Sequence, residues 1–335
     1  MKAAVPVLTA ENLATDKGRV ALFSELFKAR LTLLVVLTTL VGFYLGSAIG
    51  VPVDYALMFH TVFGTALVAA GASALNQLIE REHDARMKRT ENRPLPAQRI
   101  TPNSVLLLGA LLSVAGLAWL LFAVNPLTAF LGAVTLASYL FVYTPLKRLT
   151  VLNTAVGAVP GALPPLMGWA AATNSVSAGG WALFAILFFW QLPHFMAISW
   201  LYREDYARAG YRMLSGVDPE GRRTAASAVR NTIALLLISL FPYVLHLAGR
   251  YYLAGAFVLG AVFLACAIVF ARKLTPRAAR QLFFASIIYL PLLLGLLVAD
   301  KATKKLTPEG AVSTQSLPRA EQGANPVAAP ATLLN

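Results

Sequence analysis

Nine apolar runs of about twenty residues, nearly free of Asp, Glu, Lys and Arg, constrain the fold of this chain more than any other feature. A helix of that length crosses the hydrocarbon core of a bilayer, and a helix satisfies its own backbone hydrogen bonds there. The chain of 335 residues is 58% hydrophobic and 13% charged, which excludes an ordinary soluble domain. We therefore predict an all-α membrane protein. The predicted spans are residues 31–50, 55–79, 103–123, 127–144, 150–172, 179–199, 231–249, 251–271 and 281–299.

The distribution of basic residues predicts how the spans are oriented. If the amino terminus is cytoplasmic, 23 of the 28 Lys and Arg residues fall on the cytoplasmic side, the asymmetry typical of membrane proteins. The same arrangement accounts for the net charge of +13, so we expect a lipid bilayer and no nucleic acid as partner. The carboxyl terminus is then predicted to lie outside. The predicted regions are a cytoplasmic tail (1–26), a transmembrane domain (27–300) and a disordered tail (301–335).

The end of the second predicted span carries the most distinctive polar pattern. Asn76, Glu80 and Asp84 are spaced by four and so share one helix face. Acids at a membrane boundary are unfavourable unless they are paired or bind a metal, and Mg²⁺ often joins carboxylates to substrate phosphates. The spacing therefore indicates a magnesium site. A solvated helix end with pairs such as Glu82 and Arg86 would give the same pattern.

Basic residues follow this acidic face. Arg89 and Arg93 precede two prolines that end the helix and turn the loop back, where both guanidinium groups could bind a diphosphate. With the three metal-site residues they form the predicted catalytic set, although contact with lipid headgroups is an alternative. Lys147 and Arg148, between spans four and five, are either a second phosphate-binding pair or anchors that orient the protein.

The sixth predicted span also ends in charge. His194 lies inside it, and Tyr202, Arg203, Glu204 and Asp205 follow its end. We predict that these residues bind substrate across a single cavity from the acids of the second span. For the histidine, a hydrogen-bonded place in the core is the alternative.

Three motifs carry a resemblance to a known family. They read NQLIEREHDARMKRTENRPLP, YTPLKRLTVLNTAVGAVPGALPPLMGW and WQLPHFMAISWLYREDYARAGYRML. With them the chain resembles the UbiA superfamily of intramembrane prenyltransferases, and within it the branch that farnesylates heme, over roughly residues 25–300. The resemblance implies a nine-helix bundle with a central cavity and cytoplasmic caps. It also implies that Asn76, Glu80 and Asp84 bind Mg²⁺ and a prenyl diphosphate, whereas Glu204 and Asp205 depart from the aspartate-rich second site of the wider superfamily.

The resemblance further implies a reaction. The farnesyl group of farnesyl diphosphate would pass to the 2-vinyl group of protoheme IX (heme B), a substrate rather than a cofactor, and water would complete the product, heme O. The protein would lie in the bacterial cytoplasmic (inner) membrane and supply a downstream heme A synthase or oxidase assembly. A prenyltransferase for an aromatic quinone precursor and a membrane transporter or heme scaffold are the alternatives.

Overall fold

The structure is a computed structural model that describes residues 16–301. The predicted tails over 1–26 and 301–335 lie outside the described residues, apart from 16–26 and Lys301. The bounds of the helices are α1 Asp16–Leu26, α2 Ala29–Gly46, α3 Tyr55–Asp84, α4 Pro102–Ala123, α5 Pro126–Ala137, α6 Thr144–Leu149, α7 Asn153–Thr173, α8 Ala178–Leu201, α9 Arg203–Arg208, α10 Arg222–Ile238, α11 Phe241–Val244, α12 Arg250–Lys273 and α13 Pro276–Ala299. A π-helical turn (Ser138–Tyr143) joins α5 to α6, and a 3₁₀ turn covers Leu214–Gly216.

Within residues 16–301, nine helical segments are long and apolar enough to cross a membrane, which confirms the predicted number of spans. The chain is a multi-pass membrane protein. Caps fix several of the helix starts: the side chains of Asp54, Thr101 and Asn125 accept backbone N–H groups at the starts of α3, α4 and α5. Two of these helices also begin with proline, which fits the first turn because it needs no N–H donor there.

Several boundaries differ from the predicted spans by four residues or more, among them those at Asp84 and Arg222. The third helix continues to Asp84, five residues beyond the predicted end at 79, and the seventh span begins at Arg222 rather than at 231. Both extensions contain charged residues. The predicted spans were uncharged runs and therefore left these parts of the helices out. Helix formation does not require an apolar sequence once the helix leaves the hydrocarbon region. The helix α1, inside the predicted tail, was not predicted.

Small residues bring two central helices, α2 and α7, unusually close. A Cβ added at Gly42 would lie 2.0 Å from the carbonyl oxygen of Pro165, and one at Gly168 would lie 1.9 Å from that of Thr39. Glycine is therefore required at both positions. This contact makes α2 and α7 one wall of the bundle, against which α3 and α8 pack.

The π-helical turn lies beside the site described below. Its last residue is followed by Thr144 and Pro145, and proline cannot donate a hydrogen bond to the preceding turn. The backbone N–H and the hydroxyl of Thr144 both donate to the carbonyl oxygen of Tyr139, five residues back, the hydroxyl over 2.8 Å. The wider turn thus keeps the helix continuous through a sequence that would otherwise break it.

Candidate active site

A cavity of about 340 Å³ lies inside the bundle, at the end where the loops 85–101 and 202–221 lie. We call this end the loop face. The cavity has a charged end and an apolar interior. The charged end is lined by Lys28, Glu80, Asp84, Arg89, Arg93 and Lys147, and the interior by Leu31, Val35, Val68, Ala69, Ala72, Leu136, Pro164 and Met167, among others.

Glu80 forms an ion pair across the cavity. Lys147 Nζ lies 2.6 Å from Glu80 Oε1, and both side chains are largely buried, 13% and 7% exposed. The ammonium group also lies 4.5 Å from the ring centroid of Tyr143. Of the two interpretations of Lys147, the structure therefore fits the one in which it belongs to the site.

Asp84 is the most enclosed acid of the site. Its side chain is 1% exposed, and Arg93 Nη1 donates to Oδ2 over 2.7 Å. The Thr90 hydroxyl donates to the Asp84 carbonyl over 2.8 Å, which holds the loop back over the helix end as the two prolines predicted. The other carboxylate oxygen, Oδ1, is buried and accepts no hydrogen bond from the described residues.

Asn76 shares this helix face but has a different environment. Its amide oxygen accepts a hydrogen bond from Lys28 Nζ at 2.6 Å and another from the Tyr139 hydroxyl at 3.1 Å. Its amide nitrogen donates to Thr144 at the end of the π-helical turn. Direct binding of a metal by Asn76 would require at least one of these partners to move.

Lys28 is a site residue that the sequence analysis missed. Gln77 donates to the carbonyl of Leu26 over 2.7 Å, and Lys28 takes a left-handed conformation with φ of 48°, which aims its side chain at Asn76. Burial lowers the pKa of Lys28 to about 7, and the charge of Arg93 acts in the same direction. An incoming polyanion would favour its charged form.

A group of aromatic residues from the second loop covers the charged end. The Arg89 guanidinium lies 5.3 Å from the ring centroid of Tyr202 and 5.7 Å from that of Tyr206, whose hydroxyl accepts a hydrogen bond from it. Tyr211 also lines the cavity, and burial raises the pKa of its hydroxyl. The loop after α8 thus meets the loop after α3, through tyrosines rather than through its acids.

The predicted acids of the sixth span lie elsewhere. Asp205 pairs with Arg208 one turn away, Glu204 is exposed, and the Arg203 guanidinium lies over the ring of Trp200 at 4.8 Å. None of the three predicted residues lines the cavity. Their role in binding substrate stays a prediction that these contacts do not support.

His194 and Arg148 are also outside the cavity lining. His194 Nδ1 is hydrogen-bonded to the hydroxyl of Ser286 over 2.7 Å, and its ring stacks on Trp190 and Phe283 between α8 and α13. This fits the alternative of a hydrogen-bonded core histidine. Arg148 is exposed, unlike its neighbour Lys147, which fits an anchor that orients the protein.

The residues at the charged end fit a hard divalent cation. Glu80 and Asp84 offer two carboxylates one helical turn apart, and the unpaired Oδ1 of Asp84 is a buried oxygen in need of a partner. No group of three His, Cys, Asp or Glu residues gathers within residues 16–301. The site therefore supplies part of a coordination shell, which matches Mg²⁺, since it commonly takes one or two carboxylates and completes its shell with phosphate oxygens and water.

The missed residues differ in how far the sequence signalled them. Tyr139 and Tyr143 were missed, although they precede the predicted Lys147 by eight and four residues, a spacing that could have been read as one face pointing at Glu80. Lys28 gave no comparable signal, because a lysine before a first span is also the ordinary orientation anchor.

The sequence is similar to those of known prenyltransferases. The profile described as the UbiA prenyltransferase family matches residues 35–288. A protein of Solibacter usitatus named protoheme IX farnesyltransferase is 46% identical over 286 residues, which cover 83% of this chain and 98% of that one. A relative of Opitutus terrae with the same name is 46% identical over 280 residues and covers 83% and 94% of the two chains.

The fold is similar to those of solved structures at low sequence identity. A structure described as digeranylgeranylglyceryl phosphate synthase superposes with a TM-score of 0.71 at 16% identity, covering 85% of this chain and 99% of that one. A UbiA homologue of Archaeoglobus fulgidus, bound to DMAPP and Mg²⁺, gives 0.57 at 15% identity, covering 82% and 99%. These likenesses confirm the predicted all-α bundle. The chain therefore belongs to the UbiA prenyltransferase family, in the branch of the relatives named protoheme IX farnesyltransferase.

Proposed function

We propose that this protein is a protoheme IX farnesyltransferase, which transfers the farnesyl group of farnesyl diphosphate to the 2-vinyl group of heme B and gives heme O. The observation that carries the proposal is the cavity, in which buried cations and carboxylates stand at one end of an apolar interior. A prenyl diphosphate has the same division into a charged head and an apolar chain. The names of the relatives supply the acceptor.

The charged end would act on the diphosphate. Lys28, Arg93 and Lys147 bring three cationic side chains to the cavity, and they would stabilise the negative charge that develops as the bond between C1 and oxygen breaks. Arg89 would contact the same group from the loop. Because these cations are already held by Asn76, Asp84 and Glu80, they need little rearrangement when the substrate binds.

Glu80 and Asp84 would hold Mg²⁺, with Asn76 behind them orienting Lys28. When bound, the ion would add Lewis-acid stabilisation of the leaving diphosphate. The ion pairs seen here hold both carboxylates in position. The single buried Oδ1 of Asp84 is the oxygen that we assign first to this role.

The apolar interior would hold the farnesyl chain and exclude bulk water from the allylic cation. Its walls include Leu31, Val35, Val68 and Met167 from three helices. No nucleophilic side chain is required, because the electron-rich vinyl group of the acceptor attacks the cation. Water then completes the hydroxyethylfarnesyl group.

We also propose that the loop face lies on the cytoplasmic side of the bacterial inner membrane, with the amino terminus cytoplasmic and the carboxyl terminus outside. The excess of Lys and Arg at the loop face supports this orientation. The product would pass to a heme A synthase or to oxidase assembly.

The test is conversion of heme B by the purified full-length protein with farnesyl diphosphate, with Mg²⁺ or with excess chelator. Mass analysis of the extracted heme should show heme O only with Mg²⁺. An unaltered heme together with prenylation of an aromatic quinone precursor would establish the other prenyltransferase activity. An unaltered heme and no prenylation of either acceptor would contradict both.

A further inference from the structure

Gln191 is a buried polar residue in the middle of the sixth span, and the proposed chemistry so far gives it no task. It lines the cavity and is 6% exposed. Its amide nitrogen lies 3.0 Å from the carbonyl oxygen of Leu187 and 3.3 Å from that of Ala158. Since carbonyl oxygens only accept hydrogen bonds, these two contacts fix which end of the amide is the nitrogen.

The amide oxygen is therefore the end without a partner. No donor from the described residues bonds Gln191 Oε1, although an uncompensated polar group in an apolar span is unfavourable. A Cβ added at Gly161 would lie 2.0 Å from this oxygen, so a larger residue there would force the Gln191 side chain to move. The next turn of α7 adds further acceptors: Pro164 and Pro165 have no N–H, so the carbonyls of Pro160 and Gly161 lose their usual helical donors.

The position of Gln191 follows from the register of α7. This helix begins at the loop face, where Asn153 donates to the carbonyl of Arg212. A Cβ at Gly157 would meet the ring of Tyr143 at 2.3 Å, and that ring lies next to Lys147 Nζ. Gly161 is one turn deeper, about 6 Å along the helix. Gln191 thus lies just inside the charged end, where the reacting carbons would lie once the diphosphate is bound.

We infer that Gln191 Oε1 holds the water molecule that completes the product. This inference rests on the proposed function. In that reaction, C1 of the farnesyl group bonds to the terminal vinyl carbon as its bond to diphosphate breaks, which leaves positive charge on the inner vinyl carbon. The water oxygen then bonds to the inner carbon and gives one proton to the departed diphosphate. Gln191 is a positioning residue here: it accepts a hydrogen bond from the water and so keeps an oxygen lone pair free to attack.

The Gln191 oxygen and the two α7 carbonyls suit this task because all three are hydrogen-bond acceptors. A water molecule can give both of its hydrogens to such a site, and a ligand that only accepts hydrogen bonds cannot bind there. The same acceptors carry negative partial charge towards the cation without being nucleophiles strong enough to trap it.

The test compares products rather than rates alone. In Gln191→Leu the cation should lose a proton from the carbon next to the inner vinyl carbon and should not add water. The product is then a farnesylated heme that is lighter by one water molecule. We expect the ratio of eliminated to hydroxylated product to rise about tenfold, the effect of one lost hydrogen bond to a reacting group. Gln191→Asn, which shortens the side chain, should give an intermediate ratio. The assay uses purified full-length protein, farnesyl diphosphate, heme B and Mg²⁺, with mass analysis of the extracted heme.

Gln77→Leu is the matched control. Gln77 is a fully buried glutamine whose nitrogen also donates to two carbonyls, but it lies outside the cavity lining. Its loss should lower the rate without changing the product ratio. If wild-type protein forms no farnesylated heme, the proposed function fails. If wild type forms heme O and the ratio is unchanged in folded Gln191→Leu, or both Gln191 variants are folded and form no product, the inference about Gln191 fails alone.

Discussion

The acids after the second span and those after the sixth look alike in the sequence but differ in their partners and in their place relative to the cavity. Asp84 is 1% exposed and pairs with Arg93 from the following loop, whereas Asp205 is 14% exposed and pairs with Arg208 of its own short helix. Glu80 pairs across helices with Lys147, and Glu204 is exposed. Both groups of acids stand at the end of a membrane span, so position along the chain does not decide their role.

The difference arises in the segment that follows each span. After α3 the chain folds back over the helix end, tied by the hydroxyl of Thr90, and brings Arg93 to the cavity. After α8 the chain enters the short helix α9, which brings Tyr206 to the cavity and leaves both acids outside the cavity lining. A carboxylate becomes part of a site when a loop encloses it and supplies its counter-charge.

The largest difference is expected between two variants in which a single aspartate, Asp84 or Asp205, is replaced by asparagine. Asp84→Asn should lower kcat/KM for farnesyl diphosphate by about a thousandfold, because it removes a preorganised charge next to the departing diphosphate. Asp205→Asn should stay near wild type. Steady-state kinetics of heme conversion measures both. Equal losses would show that the sixth-span acids take part as well.

The buried pair allows a sharper test through stability. Lys147→Met leaves Glu80 buried without a counter-charge and should lower the free energy of unfolding by about 3 kcal/mol. The double variant Lys147→Met with Glu80→Gln should recover most of that loss. Arg208→Met, which removes an arginine that is 48% exposed, should cost less than about 0.5 kcal/mol. Unfolding of the purified protein by denaturing detergent reports each value, and a double variant no more stable than Lys147→Met would refute the pairing.

The smallest effect concerns two stacked arginines. Arg89→Ala removes a guanidinium that lies over Tyr202 and Tyr206 at the cavity, and should raise KM for farnesyl diphosphate by about fivefold, the scale of one cation–π contact. Arg203→Ala makes the same change of charge over Trp200, outside the cavity lining, and should leave KM unchanged. Titration of the donor in the conversion assay distinguishes them. An equal rise in KM in both variants would show that the net charge of the protein, and not the position of Arg89, affects binding of farnesyl diphosphate.

Much of the fold could be predicted because the bilayer permits few solutions. Uncharged runs gave the spans, and the breaks at Asn125, Asn174 and Gly249 fall where the helices end or begin. The spacing by four also placed Glu80 and Asp84 correctly on one buried face. These features are local, so a single sequence carries them.

Contacts between distant segments could not be predicted in the same way. Lys28 reaches Asn76 because the backbone takes a left-handed turn between α1 and α2, and nothing in the residue type signals that turn. His194 was predicted to bind substrate, but its side chain is hydrogen-bonded to Ser286 on another helix. Whether this histidine binds substrate or is hydrogen-bonded in the core depends on which helices are neighbours, and helix packing decides that.

The π-helical turn has a consequence for how the site tolerates changes in chain length. A π turn holds one residue more than an α turn. Each later side chain therefore points in a direction rotated by about 100° around the helix axis, compared with the same sequence in an unbroken α-helix. Upstream of it, α5 keeps one phase; downstream, Lys147 points at Glu80 only because of the extra residue. Deleting one residue from Ser138–Tyr143 would restore a regular helix and keep the ammonium group of Lys147 pointing at its carboxylate, whereas a regular helix that kept all six residues would rotate that group away by about 100°. The direction of Lys147 therefore depends on a turn that absorbs one extra residue, and the site would tolerate the loss of that residue together with the turn.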